Sequence, residues 1–253
     1  MSTILFIPVY NCELQIKRLI KKLKRKKLKK INEILFVDNQ SVDETLKTLV
    51  NETKGFSSKI TIIQNNKNYG LGGSHKVALS YAINNRYNDL IVFHGDDQGK
   101  IEDLDKIILS DKKRKYDFIL GSRFMKGSIL NNYNLIRILG NIFFNFIFSA
   151  ITLKKLYDLG AGLNLLRLDN LDINQIKSFP NNLTFNYHLI LYLCFFKKKF
   201  MFMPITWTET DQISNVKYFN HTIQMFNIIL QFLFNKKKFF KKKKTNYIFK
   251  IIN

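Results

Sequence analysis

Short apolar runs alternate with polar, lysine-rich stretches through the first half of the chain. Residues 3–8 (TILFIP), 33–38 (EILFVD), 59–64 (KITIIQ), 89–94 (DLIVFH) and 116–120 (YDFIL) have the length and flanks of buried strands. Between them, Leu14, Leu19, Ile20, Leu23 and Leu28 recur among lysines and predict a helix over residues 13–29. Ser41, with Glu44 three residues on, predicts a capping box opening a second helix. The loop 65–73 leads into a third, on which Val77, Ala78, Tyr81 and Ala82 can share one face. Strands alternating with helices predict an α/β layered fold, a mainly parallel central sheet with helices on both faces.

After residue 122 the pattern changes. Residues 134–153 predict a long apolar, aromatic helix, 160–167 a strand, 185–196 a second apolar helix, 200–207 a strand and 218–234 a final helix. There is no internal repeat and no Pro/Gly-rich linker. The division expected is a main domain over residues 1–217, followed by a basic, apolar helix and tail over 218–253 assigned to a membrane surface.

Composition narrows the class without naming a partner. The 253 residues can bury a sizeable core, and an apolar fraction of 46% excludes wholesale disorder. The two cysteines, Cys12 and Cys194, form no CxxC pair, so no zinc or redox motif is visible. The formal charge of +22 is concentrated: residues 17–30 hold ten basic side chains and residues 236–244 hold seven lysines. Such a surface attracts anionic lipid, anionic substrate or nucleic acid, the last least favoured here, and equally describes a solvated face. The opening residues lack the features of a secretory leader. The longest apolar run, 142–153, is well short of the ~20 residues of a spanning helix.

The chemistry clusters at the ends of the strands, where ligands bind in open α/β sheets. His94-Gly95-Asp96-Asp97-Gln98 follows the fourth strand, where carboxylates can hold a hard divalent cation that completes its shell with phosphate oxygens. Pro8-Val9-Tyr10-Asn11 ends the first strand. Asp38 ends the second, where it reads as a base or ribose acceptor and equally as a turn acid. Asn68-Tyr69-Gly70-Leu71-Gly72-Gly73-Ser74-His75-Lys76 is a glycine-rich loop opening a helix; its glycines would let backbone approach an anionic ligand. It lacks the lysine-serine end of an ATPase loop and follows the third strand, which argues against a dinucleotide fold. Gly121-Ser122-Arg123, and Arg137 further on, supply forks suited to phosphate.

In this order and at these strand ends, the motifs resemble glycosyltransferase family 2, enzymes of the GT-A fold, and within it the dolichol-phosphate or polyprenyl-phosphate mannosyltransferase-like branch. VDNQSVDET (37–45) stands for the family's V-D-D-G-S-x-D-G-T, NYGLGG (68–73) for its N-x-G loop, and residues 94–98 for its D-x-D-x-Q. GSRF (121–124) stands for its G-S-R, Asp158 to Asn164 for D-x-x-S-G-F-R, and residues 204–217 for its V-P-I…S-K segment. The resemblance implies that Pro8, Tyr10, Glu13 and Asp38 line a nucleotide pocket with Asp38 taking a base N–H, and that Asn68, Gly70, Gly73 and Lys76 bind the donor. It implies that Asp96 holds a divalent metal, Mg²⁺ or Mn²⁺, on the donor diphosphate, with Gln98 and His94 as further metal-site residues. Arg123 and Arg137 would contact acceptor or donor phosphate, which makes Asp96, Arg123 and Arg137 the catalytic set.

Three departures bear on the chemistry. His94 replaces the first acid of D-x-D, Asn164 replaces an arginine, and His188 stands where the family often carries an acid. The expected reaction is sugar transfer, with inversion, from a UDP- or GDP-sugar to a polyprenyl phosphate or similar lipid-linked acceptor, whose oxygen is already anionic and needs no base. A glycan hydroxyl is the alternative acceptor, with Asp158, Glu209 or Asp211 as spare carboxylates; a non-catalytic sugar-nucleotide-binding protein is the third reading. A lipid acceptor implies a cytoplasmic enzyme lying on the membrane's cytoplasmic face through the apolar, lysine-flanked segments 142–153, 189–196 and 223–240.

Overall fold

The computed structural model describes residues 2–26, 28, 30–109, 115–211, 218–241 and 246–252. Ser214 and Lys217 of the V-P-I…S-K segment lie outside the described residues, as do Lys27, Lys29 and Lys242 to Lys244 of the basic blocks.

The elements in chain order are β1 (Thr3–Val9), α1 (Glu13–Arg25), β2 (Glu33–Asp38), α2 (Thr45–Glu52), β3 (Lys59–Asn65), α3 (Gly70–Asn84), β4 (Asp89–Phe93), α4 (Asp103–Ile108), β5 (Phe118–Ser122) and β6 (Ile129–Asn131). They continue with α5 (Leu135–Thr152), β7 (Leu163–Arg167), α6 (Ile173–Lys177), α7 (Phe185–Phe195), β8 (Phe200–Pro204), β9 (Thr206–Thr208), α8 (Tyr218–Phe234), α9 (Lys236–Phe239) and β10 (Phe249–Ile252). Among the described residues the main sheet runs β10-β3-β2-β1-β4-β7-β5-β8. The pairs β3–β2, β2–β1, β1–β4 and β5–β8 are parallel. The β7 strand runs antiparallel to both neighbours, and β10 antiparallel to β3.

Every residue of β1 and β2 is buried, as in a sheet covered on both faces. Alternation divides β1 between two cores. Ile4 and Phe6 join Val77, Ala78, Phe148 and Leu191 under α3, α5 and α7, with α8 packed on the same side. Leu5, Ile7 and Val9 join Ile16, Leu19, Leu49 and Leu104 under α1, α2 and α4. The layered α/β expectation therefore holds.

Local expectations differ where one side chain decides. Helix α1 stops at Arg25 because Lys26 takes an extended backbone, and Leu14, counted with its apolar stripe, is exposed. The capping box at Ser41 does not form: α2 starts at Thr45, whose N–H is accepted by Asp43 Oδ1 (3.1 Å), while Ser41 Oγ accepts from Asn11 N (3.0 Å) across to the β1 loop. Asn134 does cap α5, its Oδ1 accepting from Ile136 N and Arg137 N. The run 200–207 breaks at Ile205, so that β8 stays in the main sheet and β9 leaves it to pair with β6. Helix α5, at 18 residues, is long and apolar enough to cross a membrane by length and composition, beyond what run length alone indicated. The segment 218–253, expected as an appended helix and tail, returns to the main sheet through β10.

Candidate functional site

The ends of β1, β2 and β4 converge on one cleft of ≈ 310 Å³, lined by Pro8, Tyr10, Asn39, Asn68, Gly70, His94 and Asp96 among others. Convergence is possible because residue 95 is glycine. A Cβ there would stand 2.6 Å from Val9 Cγ1 and 2.8 Å from Pro8 O, while its N–H donates to Pro8 O (3.2 Å). Asn11, Gln40 and Asp97 all have positive φ (46°, 62° and 59°), so each of the three strand-end loops turns through a left-handed residue. Cys12 also lines the cleft, and burial pushes its thiol up to about 12, so it stays protonated.

Asn39 joins the end of β2 to the end of β3 and the loop after it. Its Oδ1 accepts from Tyr69 N (2.8 Å) and Asn65 Nδ2 (2.9 Å), and its Nδ2 donates to Asn68 Oδ1 (2.7 Å). Asn39 carries no acid of its own to mark it in the sequence, although it stands where the pattern V-D-D-G has its second acid. Asp38 lies off the cleft lining, fully buried, its carboxylate accepting from Gln64 Nε2 (3.1 Å) and Ser41 N (3.2 Å).

The glycine loop is built for a protein segment as much as for a ligand. A Cβ at Gly70 would stand 2.5 Å from Asn181 O, and one at Gly72 would collide with Pro180 O and stand 2.8 Å from Phe185 Cβ. Residues 179–182 therefore press directly on the start of α3. Lys76, expected at the donor, is buried against that segment, its Nζ donating to Phe179 O and to Asn181 Oδ1 (2.8 Å). Burial lowers Lys76 to about 8. Glu13, Asp38, Gly73, Lys76 and Gln98 line neither this cleft nor the one beyond it.

The two adjacent acids point opposite ways. Asp97 turns outward through its left-handed backbone to α1, where its carboxylate meets Arg18 Nε (3.1 Å) and Lys22 Nζ (2.6 Å). Asp96 faces the cleft and accepts from Gln98 N (3.3 Å), and among the described residues no lysine or arginine pairs with it. Burial, aided by the nearby Asp97 charge, pushes Asp96 up to about 6. Gln98 thus supports Asp96 through its backbone N–H. His94 is clamped edge-on between the rings of His75 and Trp207, over Gly162, where a Cβ would stand 2.7 Å from its ring. Its Nε2 is buried without a hydrogen-bond partner, and burial holds the imidazole neutral, down to about 3.

A second cavity, of ≈ 470 Å³, lies between α5, α7 and α8 and shares Leu71, His94 and Leu183 with the first. Arg123 and Arg137 both line it, with Tyr133, Tyr187, His221 and Phe144. Both arginines are already held. Asp158 accepts from Arg123 Nε and Nη2 (2.8 Å each), and Arg123 also lies over the Trp207 ring (5.6 Å). Arg137 pairs with Glu209 and lies over the Tyr133 ring (4.5 Å). No carboxylate lines this cavity among the described residues. His188 lies outside it: its Nδ1 faces Thr184 O (3.0 Å) and its ring stacks on Phe239 (4.6 Å). The missing acid at that position therefore leaves no gap in the lining.

Strand ends arranged in this way match a known family. The model of glycosyl transferase family 2 matches residues 4–172. The chain belongs to this family. Its fold is the GT-A fold of solved family members. Mannosyl-3-phosphoglycerate synthase from Rubrobacter xylanophilus superposes with a TM-score of 0.63 at 12% identity, over 97% of this chain and 77% of that one. S. aureus TarS (1–349) superposes with a TM-score of 0.61 at 18% identity, over 94% and 73%. Glucosyl-3-phosphoglycerate synthase from Mycobacterium tuberculosis, in complex with Mn²⁺, UDP and glucosyl-3-phosphoglycerate, superposes with a TM-score of 0.60 at 9% identity, over 98% and 86%. At these identities the likeness is one of fold. In sequence, the uncharacterized protein MJ1222 of Methanocaldococcus jannaschii is 29% identical over 141 residues, 56% of this chain. The chain spans about half the length of that curated relative, with 54% of it matched. Within this family 2 domain the first cleft occupies the carboxyl ends of β1, β2 and β4, and the second adjoins it across His94.

Proposed function

We propose that this family 2 protein transfers a sugar, with inversion, from a nucleoside-diphosphate sugar in the first cleft to a polyprenyl phosphate or similar lipid-linked phosphate in the second, at a membrane surface. The observation that carries the acceptor is the lining of the second cavity, where two arginines stand among aromatic, apolar and neutral polar side chains with no carboxylate among the described residues. The spare carboxylates are occupied. Asp158 is forked by Arg123, Glu209 is paired with Arg137, and Asp211 accepts from Arg18 Nη1 (3.0 Å) and Nη2 (2.7 Å), which holds it well below the usual carboxylate range. None can take a proton from a hydroxyl without giving up the charge that attracts its arginine. A phosphate oxygen arrives ionised and needs no base.

The first cleft fits a diphosphate with a divalent cation. Asp96 offers an unpaired carboxylate and His94 an unpartnered nitrogen, and no group of three or more metal-binding side chains occurs among the described residues, so donor oxygens would complete the shell. A bound divalent ion would neutralise charge growing on the leaving diphosphate. Pro8, Tyr10, Asn39, Asn68 and Gly70 would hold the nucleotide, and His94 would face the transfer from the junction of the two cavities.

The acceptor oxygen attacks the anomeric carbon as the bond to the donor's diphosphate breaks on the opposite face. Arg123 and Arg137 orient the incoming phosphate from pairs that are fixed beforehand, so little ordering remains for binding. Incubation with UDP- and GDP-sugars and Mn²⁺, offering undecaprenyl phosphate in detergent against soluble glycans, tests the reading. Sugar on the lipid phosphate alone is the expected result; transfer only to glycan would overturn the acceptor. The glycan reading would draw on His221, a histidine on the lining whose ring nitrogen meets Tyr187 Oη at 2.8 Å. Under that reading His221→Ala abolishes transfer, whereas a phosphate acceptor tolerates it.

A further inference from the structure

The tail of the chain reaches the rim of the first cleft. Strand β10 pairs with β3 from Phe249↔Asn65 to Ile252↔Ile62, and Asn66 N donates to Ile248 O (3.1 Å). The next turn of the same loop is Asn68-Tyr69-Gly70, whose Asn68 and Gly70 line the cleft. Asn39 holds this loop from inside, and the tail holds it from outside. Tyr69 Oη accepts from Ile248 N (3.0 Å), and its ring meets the Tyr247 ring edge-on at 5.0 Å. Tyr247 Oη donates to Asn181 Oδ1 (2.6 Å), the atom that also accepts from Lys76 Nζ, and the Lys76 ammonium stands 5.8 Å over the Tyr247 ring. Asn181 O in turn accepts from Gly73 N (3.1 Å). Two segments that flank the cleft, 66–73 and 179–183, are thus tied at one residue of the tail.

We propose that Tyr247, with strand β10, is a positioning device for the donor: a C-terminal strap that holds the Asn68–Gly70 loop and the Asn181 segment in the geometry that receives the nucleotide. It rests on the first cleft being the donor cleft. An unstrapped loop would have to be ordered by the nucleotide, and that ordering would come out of its affinity. Tyr247 is not on the cleft lining, so its effect is exerted through Tyr69 and Asn181. The contacts rank its parts. The ring supports Tyr69 and Lys76, and the hydroxyl fixes Asn181.

Calorimetric titration of the full chain with UDP and with GDP, in Mn²⁺, tests the strap. A positioning role raises Kd at unchanged stoichiometry, whereas damage to folding lowers the binding-competent fraction and leaves Kd alone. Tyr247→Ala is expected to weaken the preferred nucleotide about tenfold, the scale of one lost hydrogen bond with its loop ordering. Tyr247→Phe, which keeps the ring contacts, falls between it and wild type. Leu109→Ala, at an exposed position outside the strap and the cleft, binds as wild type does. Unchanged Kd in both Tyr247 variants, or a fall in stoichiometry alone, would overturn the strap while the donor cleft stood. Binding of neither nucleotide by the wild type would overturn the donor cleft and the strap with it.

Discussion

Asp96 and Asp97 are adjacent, chemically identical and committed to different tasks by one backbone angle. The left-handed φ of Asp97 sends its carboxylate to Arg18 and Lys22 and leaves Asp96 alone in the cleft. Asp96→Ala should therefore abolish Mn²⁺-dependent nucleotide binding while the fold persists. Asp97→Asn, which tolerates the left-handed angle, should keep Mn²⁺ affinity and lose about 1 kcal/mol of stability with its ion pairs. Mn²⁺ titration beside urea denaturation separates the two; the opposite assignment would show metal loss in Asp97→Asn. The motif spacing already favoured Asp96. What no spacing could supply was the pairing of Asp97 with α1, because Arg18 and Lys22 lie in a basic block that reads as solvated surface. Lys76 went the other way. It follows a glycine-rich run that looks built for an anion, yet on α3 it is buried on the 179–181 segment, and burial lowers it to about 8 from 10.5. Between those values the unfolded chain holds a proton that the folded chain has released, so stability from this group rises with pH across the window. Lys76→Met should lack that rise, and comparison of urea midpoints for the two proteins at either end of the window checks it.

At the scale of elements, legibility followed how far each element's structure is determined by its own residues. The strands β1 to β5 are runs with two buried faces, and each was visible within a few residues. The capping box failed because Ser41 is claimed by Asn11, thirty positions away in sequence. The split of β8 from β9 depends on β6, a three-residue partner with no signal of its own. Strand β10, four residues beside a lysine run, becomes a strand only because β3 offers it an edge. The glycines of α3 show the same dependence. Their freedom was read as room for a ligand, but at Gly72 the space is filled by Pro180 O and Phe185 Cβ. Gly72→Ala should therefore act on stability, costing about 1–3 kcal/mol by overpacking, with nucleotide affinity preserved in the folded fraction. Denaturation midpoints set against nucleotide Kd decide it; a large loss of affinity at unchanged stability would place Gly72 at the donor site.

Across the whole molecule, the second cavity opens beneath helices whose outer faces are apolar. Leu135, Ile136, Leu139 and Phe146 of α5 are each about two-thirds exposed or more, and Ile223, Phe226 and Leu230 of α8 are about half exposed. Phe144 and Phe226 join the two helices edge-to-face at 5.5 Å. The lysines of α9, Lys236 to Lys238, follow directly and are exposed. An apolar face bordered by lysines suits an anionic bilayer surface, where burial of the face and attraction of the lysines add. It would also bring the mouth of the second cavity, with its two arginines, to the place where a lipid phosphate resides. Two groups of substitutions separate these contributions. Phe146→Glu changes a side chain that is 72% exposed, so it should spare the fold and weaken binding to vesicles regardless of their charge. Replacing Lys236, Lys237 and Lys238 together by glutamine should weaken binding to anionic vesicles about a hundredfold, from ~1 kcal/mol per lysine, and remove most of its salt dependence. Neutral vesicles should not distinguish this triple variant from wild type. Vesicle sedimentation across ionic strength measures both. Wild-type binding that ignores lipid charge would remove the lysines from the interaction, and a Phe146→Glu variant that binds undiminished would mean that this face does not meet a bilayer.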